Sequence, residues 1–272
     1  MYNVDKLLNT FLNKKVYHGI LNSEWYGKDS KENFKKNLEI EFDKLKYYLT
    51  NPVTYKWNLD GFRSEFEFVP NRKLEVDIYL GCSHTMGTAH NWQNTWPYHV
   101  SKFTNNTIVN LGIGGGNVEL SFINLFKYIN YFKVKNIFHF QPIYSRYTYS
   151  YKNRITGILA QNVSLTTLDE TNLPWKTEYI EEEMINDDYI VYHHVKHIIA
   201  IEGLCKQYNI PYFHLHEIPP IMDTKKTIVA RDLIHYNTTQ IEYISKNFID
   251  KLKIYPMGYN QITSQLNNNE LI

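Results

Sequence analysis

The sequence predicts an α/β fold: a three-layer α/β/α sandwich around a parallel sheet, plus an N-terminal helical extension. Three observations predict it. Short apolar runs recur and stop at glycine or proline: "EVDIYLGCS", "NTIVNLGIGGG" (106–116), "VKNIFHFQP" (134–142) and "IPYFHLHEIPP" (210–220). Continuous runs of this kind read as strands buried on both faces. Long amphipathic segments lie between and after them: "VELSFINLFKYINYFK" (118–133), "YIVYHHVKHIIAIEGLCKQYN" (189–209) and "TTQIEYISKNFIDKLK" (238–253). Strands alternating with helices require crossovers that cover both faces of one sheet. Residues before 74 follow another pattern. In "KENFKKNLEIEFDKLKYYL" (31–49), Phe34, Leu38, Phe42 and Leu45 fall at helical spacing with charges between. Pro52 ends that segment, and Gly61 and Pro70 mark loops in the strap that follows. The organisation expected is an extension and strap over 1–73, an α/β domain over 74–256 and a tail over 257–272.

The chain of 272 residues suits one large domain, and 43% of it is hydrophobic, enough for a sizeable core. Mean hydropathy is −0.45, and no run approaches the roughly 18 apolar residues of a membrane span. Lys and Arg number 29 against 28 Asp and Glu. That balance gives no general attraction to nucleic acid or to anionic membrane, so neither is expected as a partner. The basic stretch "NKKVYHG" is too short for a nucleic-acid arm and reads as a solvated face. Two cysteines, Cys82 and Cys205, make no disulfide framework or zinc spacing. The opening residues carry no secretory pattern, so synthesis in the cytoplasm is expected. Aromatic residues reach 15%, with 23 Tyr. Asn, Lys and Ile are also frequent, the bias of an AT-rich genome such as that of a virus or an AT-rich bacterium. Tyrosine-rich surfaces suit sugar or protein contact.

In parallel sheets the working groups lie at the carboxyl ends of strands. "GCSHTMG" (81–87) ends the first strand and holds Ser83. Serine becomes a nucleophile when a base takes its proton, and the usual base is a histidine oriented by a carboxylate. "ARDLIHYNTTQ" (230–240) supplies Asp232 and His235, three apart. On a tight turn or a first helical turn that spacing puts both on one side, and the helix that follows anchors the loop.

Taken together these stretches resemble the SGNH hydrolases, the GDSL esterase/lipase family. "GCSHTMG" resembles the first block, G-D-S-x-T-x-G, in four of five fixed residues: Gly81, Ser83, Thr85 and Gly87, with Cys82 in place of Asp. Asp232 and His235 resemble the last block, D-x-x-H. "NLGIGG", with Asn110, Gly112 and Gly115, resembles the second, N-x-G-x-x-G. "NLDGFRSEFEF" is similar to an Asn-x-x-Gly-Phe-Arg lead-in found in the family, and "NTWPYHVSKF" to the Trp-Pro helix of a virus- and bacterium-associated branch. The resemblance spans roughly residues 57–253 and implies an SGNH, flavodoxin-like sandwich.

It also implies roles. Ser83 is the nucleophile, His235 the general base and then acid, and Asp232 its orienting partner. The oxyanion hole takes the backbone N–H groups of Ser83 and Gly115 and a third, Asn-type donor. The family's third block, G-x-N-D, is replaced here by "QPIY" (141–144). Asn117 and Gln141 are therefore the candidate third donors, and Arg146 is a source of charge. Arg146 and Tyr144, in the run "YSRYTYSYKNR" (144–154), are placed on the substrate side; the run itself reads either as a substrate rim or as a solvated loop. Cys82 reads as a small buried residue, not a thiol nucleophile.

His193 and His197 share a helix face, but no H-E-x-x-H glutamate or third ligand accompanies them, so no metal site is expected. His214 and His216 share one strand face, with Glu217 near its end, and read as structural. "GIGGGN" lacks the Lys-Ser/Thr of a phosphate loop. No cofactor is expected. The function implied is ester hydrolysis through an acyl-serine, with a carbohydrate O-acetyl ester as the substrate that suits the aromatic content. The alternative is a catalytically weak or inactive domain that serves as a structural or glycan-binding part of a larger assembly such as a virion, contacted through the N-terminal extension.

Overall fold

The computed structural model describes residues 22–143, 146–151, 154–159, 187–216 and 227–255. The N-terminal part contains β1 (Asn22–Ser23), α1 (Lys31–Ile40), α2 (Phe42–Leu45), α3 (Tyr47–Thr50) and β2 (Tyr55–Lys56). The α/β part follows. It runs β3 (Asn71–Gly81), α4 (Ser83–Met86), α5 (Trp96–Thr104), β4 (Thr107–Asn110), α6 (Val118–Tyr128), β5 (Phe132–Phe140), the hairpin β6 (Arg146–Tyr151) and β7 (Arg154–Leu159), α7 (Asp187–Gln207), β8 (Tyr212–Leu215) and α8 (Thr238–Ile254).

Four strands form one sheet in the order β4-β3-β5-β8, and every pairing in it is parallel. Ile78 of β3 pairs with Val109 on one side and Ile137 on the other, and Phe138 of β5 pairs with Phe213 of β8. The chain leaves β3 toward β4, then crosses back over to β5. The order reverses there, so the carboxyl ends of β3 and β5 flank the topological switch point, where crevices of open α/β sheets form.

Side chains alternate across β3, so the strand feeds two cores. Val76, Ile78 and Leu80 join Leu125 and Tyr128 of α6 and Ile201 and Leu204 of α7 on one face. Tyr79 joins Trp96 and Val100 of α5 and Ile241, Ile244 and Phe248 of α8 on the other. Trp96 stacks on Phe248 at 4.8 Å between ring centroids, and Tyr79 on Phe138 at 5.3 Å. Helix layers on both faces of a parallel sheet make the three-layer sandwich.

A third cluster belongs to the extension. Leu45, Tyr48, Val53, Tyr55 and Trp57 are buried together with Met86 of α4, and Ile228 and Val229 pack against them. The extension thus docks on the turn after β3 and on the loop leading to His235.

Several boundaries differ from expectation. The single helix expected over 31–49 is three short helices. Glu41 leaves helical geometry (φ −128°, ψ 47°), which turns Leu45 and Tyr48 inward and leaves Phe42 54% exposed. The helix expected over 118–133 ends at Tyr128, because β5 already begins at Phe132. The strand expected over 106–116 is confined to 107–110, and its glycines form a loop. Where it is described, the tyrosine run is a hairpin: Arg146–Tyr151 pairs antiparallel with Arg154–Leu159. The strand expected over 210–220 occupies 212–215, and Glu217 and the rest of that stretch lie outside the described residues, as do 1–21 and the tail expected over 257–272.

Candidate active site

The turn after β3 is fixed by contacts that admit only certain residues. Gly81 has φ +146°, and a Cβ there would lie 2.2 Å from Thr85 Oγ1 and 2.5 Å from the Phe140 carbonyl oxygen. Only glycine fits. The strand therefore ends against β5, and Ser83 becomes the first residue of α4. Its backbone N–H sits where a helix supplies no intrahelical acceptor. Thr85 Oγ1 donates to the Leu80 carbonyl at 3.2 Å, closing the turn from behind. Gly87 ends the helix in the left-handed region, φ 82°, and a Cβ there would meet Thr95 Cγ2 at 2.2 Å.

Distant segments brace the same turn. Asn110 Nδ2 donates to the Thr85 carbonyl at 2.8 Å, while its Oδ1 accepts from Gly112 N–H at 2.9 Å. Gly112 must lack a side chain, since a Cβ would stand 2.6 Å from Met86 N. Arg63 is buried, and its guanidinium donates to the carbonyls of Gly87 at 2.5 Å, His90 at 2.8 Å and Thr54 at 3.1 Å. Burial, with a smaller push from the Arg231 charge, lowers its pKa to about 10. Ser83 is held on this frame, 7% exposed.

Asp232 and His235 meet in a self-contained loop. Asp232 Oδ1 accepts from the backbone N–H groups of Ile234 at 3.0 Å and His235 at 3.2 Å, and Oδ2 accepts from His235 Nδ1 at 2.6 Å. Leu233 takes φ 59° to let the chain fold back over the carboxylate. The Asp232 side chain is fully buried and that of His235 is 13% exposed. Burial raises the carboxyl's pKa, but the imidazole and the two backbone N–H groups outweigh it and hold Asp232 below its ordinary value. Two residues on, Asn237 caps α8 in a reciprocal capping box with Gln240. The loop is thereby anchored at the end nearest His235.

The extension grips the other end of this loop. Arg231 donates to both oxygens of Asp29, each at 2.7 Å, and lies 3.9 Å above the Trp25 ring. A further bond from Arg231 reaches the Glu24 carbonyl. Tyr48 Oη donates to the Val229 carbonyl at 2.6 Å, and Asn37 Nδ2 to that of Asp232 at 3.2 Å.

The imidazole of His235 lies 5.1 Å from that of His84, the residue after Ser83. No hydrogen bond joins His235 to Ser83 among the described residues. Resting active sites often leave this bond long, and it tightens on substrate. His84 stacks on Tyr236 with centroids 3.8 Å apart. Burial, then the neighbouring His235 and Arg146 charges, hold His84 well below its ordinary pKa. His90 Nε2 donates to the Tyr236 carbonyl at 2.6 Å, and burial lowers its pKa to about 4. Neutral His84 and His90 thus bracket Tyr236, next to the imidazole of His235.

A cavity of about 390 Å³ opens at the switch point. Cys82, His84 and Tyr236 form one wall, and Phe140, Gln141 and Arg146 another. Cys82 is 2% exposed, at the end of the β3 core. Gln141 carries two partners: its amide nitrogen donates to His214 Nδ1 at 2.8 Å, and its oxygen accepts from His194 Nε2 at 3.2 Å. Burial lowers both of those histidines to about 4. Gly115 lies on the glycine loop with φ +73° and open space around it. Asn117 caps α6 through Oδ1, which accepts from Leu120 N–H at 2.9 Å, and its Nδ2 donates to the Arg146 carbonyl at 3.5 Å.

Arg146 Nη1 donates to the Gly116 carbonyl at 3.2 Å, which ties the hairpin to the glycine loop. Tyr144 lies outside the described residues. His193 and His197 sit on α7, where His197 Nδ1 donates to the His193 carbonyl at 2.7 Å. No group of three metal-ligating side chains occurs among the described residues.

Two features escaped the sequence reading. His84 was visible only as the neighbour of Ser83, since its stacking partner lies 152 positions away (236 − 84). The Asp29–Arg231 pair spans 202 positions and has no local signal.

No protein-family model matches the sequence, and no curated protein matches it. Among solved structures, the chain is similar to a protein assigned to the lipolytic G-D-S-L family from Desulfitobacterium hafniense DCB-2, with 11% identity over 64% of this chain and 97% of that one and a TM-score of 0.34. It is also similar to a member of the same family from Veillonella parvula DSM 2008, with 14% identity over 65% and 97% and a TM-score of 0.33. A third, put forward as an acylhydrolase from Bacteroides fragilis NCTC 9343, shares 15% identity over 68% and 88%, with a TM-score of 0.32. All three are bacterial, and the virus-associated branch finds no support among them. Likeness at this level decides neither fold nor chemistry; the sandwich stands on its own strands and helices.

Proposed function

We propose that this protein is an SGNH-type serine ester hydrolase. The observation that carries the reading is the buried Asp232–His235 pair, 2.6 Å between Oδ2 and Nδ1, beside the turn that presents Ser83. Asp232 fixes the tautomer in which Nδ1 bears the proton, so Nε2 is the basic nitrogen. His235 Nε2 takes the Ser83 proton as Oγ attacks the ester carbonyl. It then passes that proton to the departing alcohol. Water, deprotonated by the same nitrogen, attacks the acyl-serine and releases the acid. Negative charge on the carbonyl oxygen is met by the N–H groups of Ser83 and Gly115 and by the side-chain amide of Gln141 or Asn117. One such donor is worth about 10²–10³ in rate. Gln141 is the better supported of the two, because it lines the cavity and Asn117 does not. A carbohydrate O-acetyl ester is the substrate class proposed.

A second reading, an inactive domain serving in a larger assembly, is favoured by the absence of a Ser83–His235 hydrogen bond among the described residues. Acetyl-ester turnover separates the two. The hydrolase reading expects turnover by the wild type and its loss in Ser83→Ala. Equal rates overturn the Ser83 hydrolase reading, and no turnover in either leaves the assembly reading.

A further inference from the structure

We infer that the cavity beside Ser83 takes an ester bearing a carboxylate on a short aliphatic arm, with Arg146 as its counter-ion. This rests on the hydrolase reading and puts a carboxylate-bearing acyl group in place of acetyl.

Two arginines of the described residues, Arg63 and Arg231, are buried and satisfied in the interior, and a third, Arg146, is half-buried at the cavity. Arg231 spends its charge on both oxygens of Asp29. Arg63 spends its donors on backbone carbonyls. Arg146 has one carbonyl, that of Gly116, and its Nε is enclosed with no acceptor. No acidic side chain pairs with it among the described residues, and none lines the cavity. A half-buried guanidinium whose Nε is enclosed without an acceptor has donor capacity that an anion in the cavity would meet.

The rest of the wall does not supply it. His84 and His194 are held neutral by burial. Gln141 is committed to two histidines. Phe140, Pro142, Ile143 and Val191 are apolar. An apolar chamber with one unpaired cation is complementary to a carboxylate on an aliphatic chain, and guanidinium binds carboxylate with charge-assisted hydrogen bonds. The tether to Gly116 puts the cation next to Gly115, so the anion would sit within one small acyl group of the reacting carbonyl.

The test compares two esters of similar size, 4-nitrophenyl hemiglutarate and 4-nitrophenyl pentanoate. In the wild type, kcat/KM for the hemiglutarate should exceed that for the pentanoate by at least about tenfold. Arg146→Met should bring the ratio to near one, and Arg146→Lys should keep part of it. A ratio near one in the wild type, or one that Arg146→Met leaves unchanged, overturns the inference. So does an equal loss on both esters, which would make Arg146 an oxyanion donor instead. Binding of free glutarate is measured in parallel by titration calorimetry on Ser83→Ala and on Ser83→Ala/Arg146→Met. If neither ester turns over, and 4-nitrophenyl acetate does not either, the hydrolase reading fails. Arg146-dependent glutarate binding then still supports the anion site, and its absence overturns it.

Discussion

Asp232 accepts three hydrogen bonds with one carboxylate, two from its own turn and one from the His235 imidazole. Replacing it with Asn separates those duties. The Oδ1 of Asp232→Asn would still accept from the turn, so the fold should survive. The amide nitrogen cannot accept from Nδ1–H, so the imidazole should adopt the other tautomer and lose its basic Nε2. We expect turnover to fall by about 10⁴ with little change in circular dichroism; a loss under tenfold would mean that Asp232 only shapes the loop. At this scale much was legible. Gly81, Thr85, Gly87, Asn110 and Gly112 stand in a recognisable pattern, and each has a steric or hydrogen-bonding reason to be there. Gln141 and His84 were not legible in that way, because their contacts are with β8, α7 and the His235 loop, far along the chain.

Hydrogen bonds join the extension to the Asp232–His235 loop. Arg231 immediately precedes Asp232, and its bidentate pair with Asp29 ties the loop to the segment before α1. Tyr55 Oη donates to the same Asp29 carboxylate at 2.5 Å and accepts from Ala89 N–H at 2.7 Å, which extends the network to the turn after α4. Asp29→Asn leaves a buried guanidinium without its counter-charge and should cost about 3–5 kcal/mol in urea unfolding. Ester turnover should fall with it, since the His235 loop loses its grip. A change below about 1 kcal/mol would show the pair to be dispensable. The strands of the sheet were legible as apolar runs ending at glycine or proline. The docking of the extension was not, because periodicity reports which face of a helix is apolar and not what it meets. Glu41 illustrates the limit: helical spacing continues through it, and tertiary packing breaks the helix there.

The molecule as a whole buries histidines in a neutral state. Burial holds His84 and His139 well below the ordinary value of 6.5 and lowers His90, His194 and His214 to about 4. Each binds a proton in the unfolded chain at a higher pH than in the folded one. Their contribution is therefore complete above pH 6.5 and is lost as pH falls from about 6.5 toward about 4. Five such groups should remove at least about 3 kcal/mol of stability by pH 5, read as a falling urea midpoint. An unchanged midpoint between pH 7 and pH 5 would contradict their burial. The layered architecture was legible at this scale from alternation alone, whereas the cavity was not, since it forms where the strand order reverses. The most direct measurement of the central claim follows acetyl-ester turnover in the wild type and Ser83→Ala while mass spectrometry reads the quenched protein. The account predicts turnover and an acyl adduct on Ser83 in the wild type, with both lost in Ser83→Ala. Turnover that persists in Ser83→Ala, or an adduct on another residue such as Cys82, would contradict it.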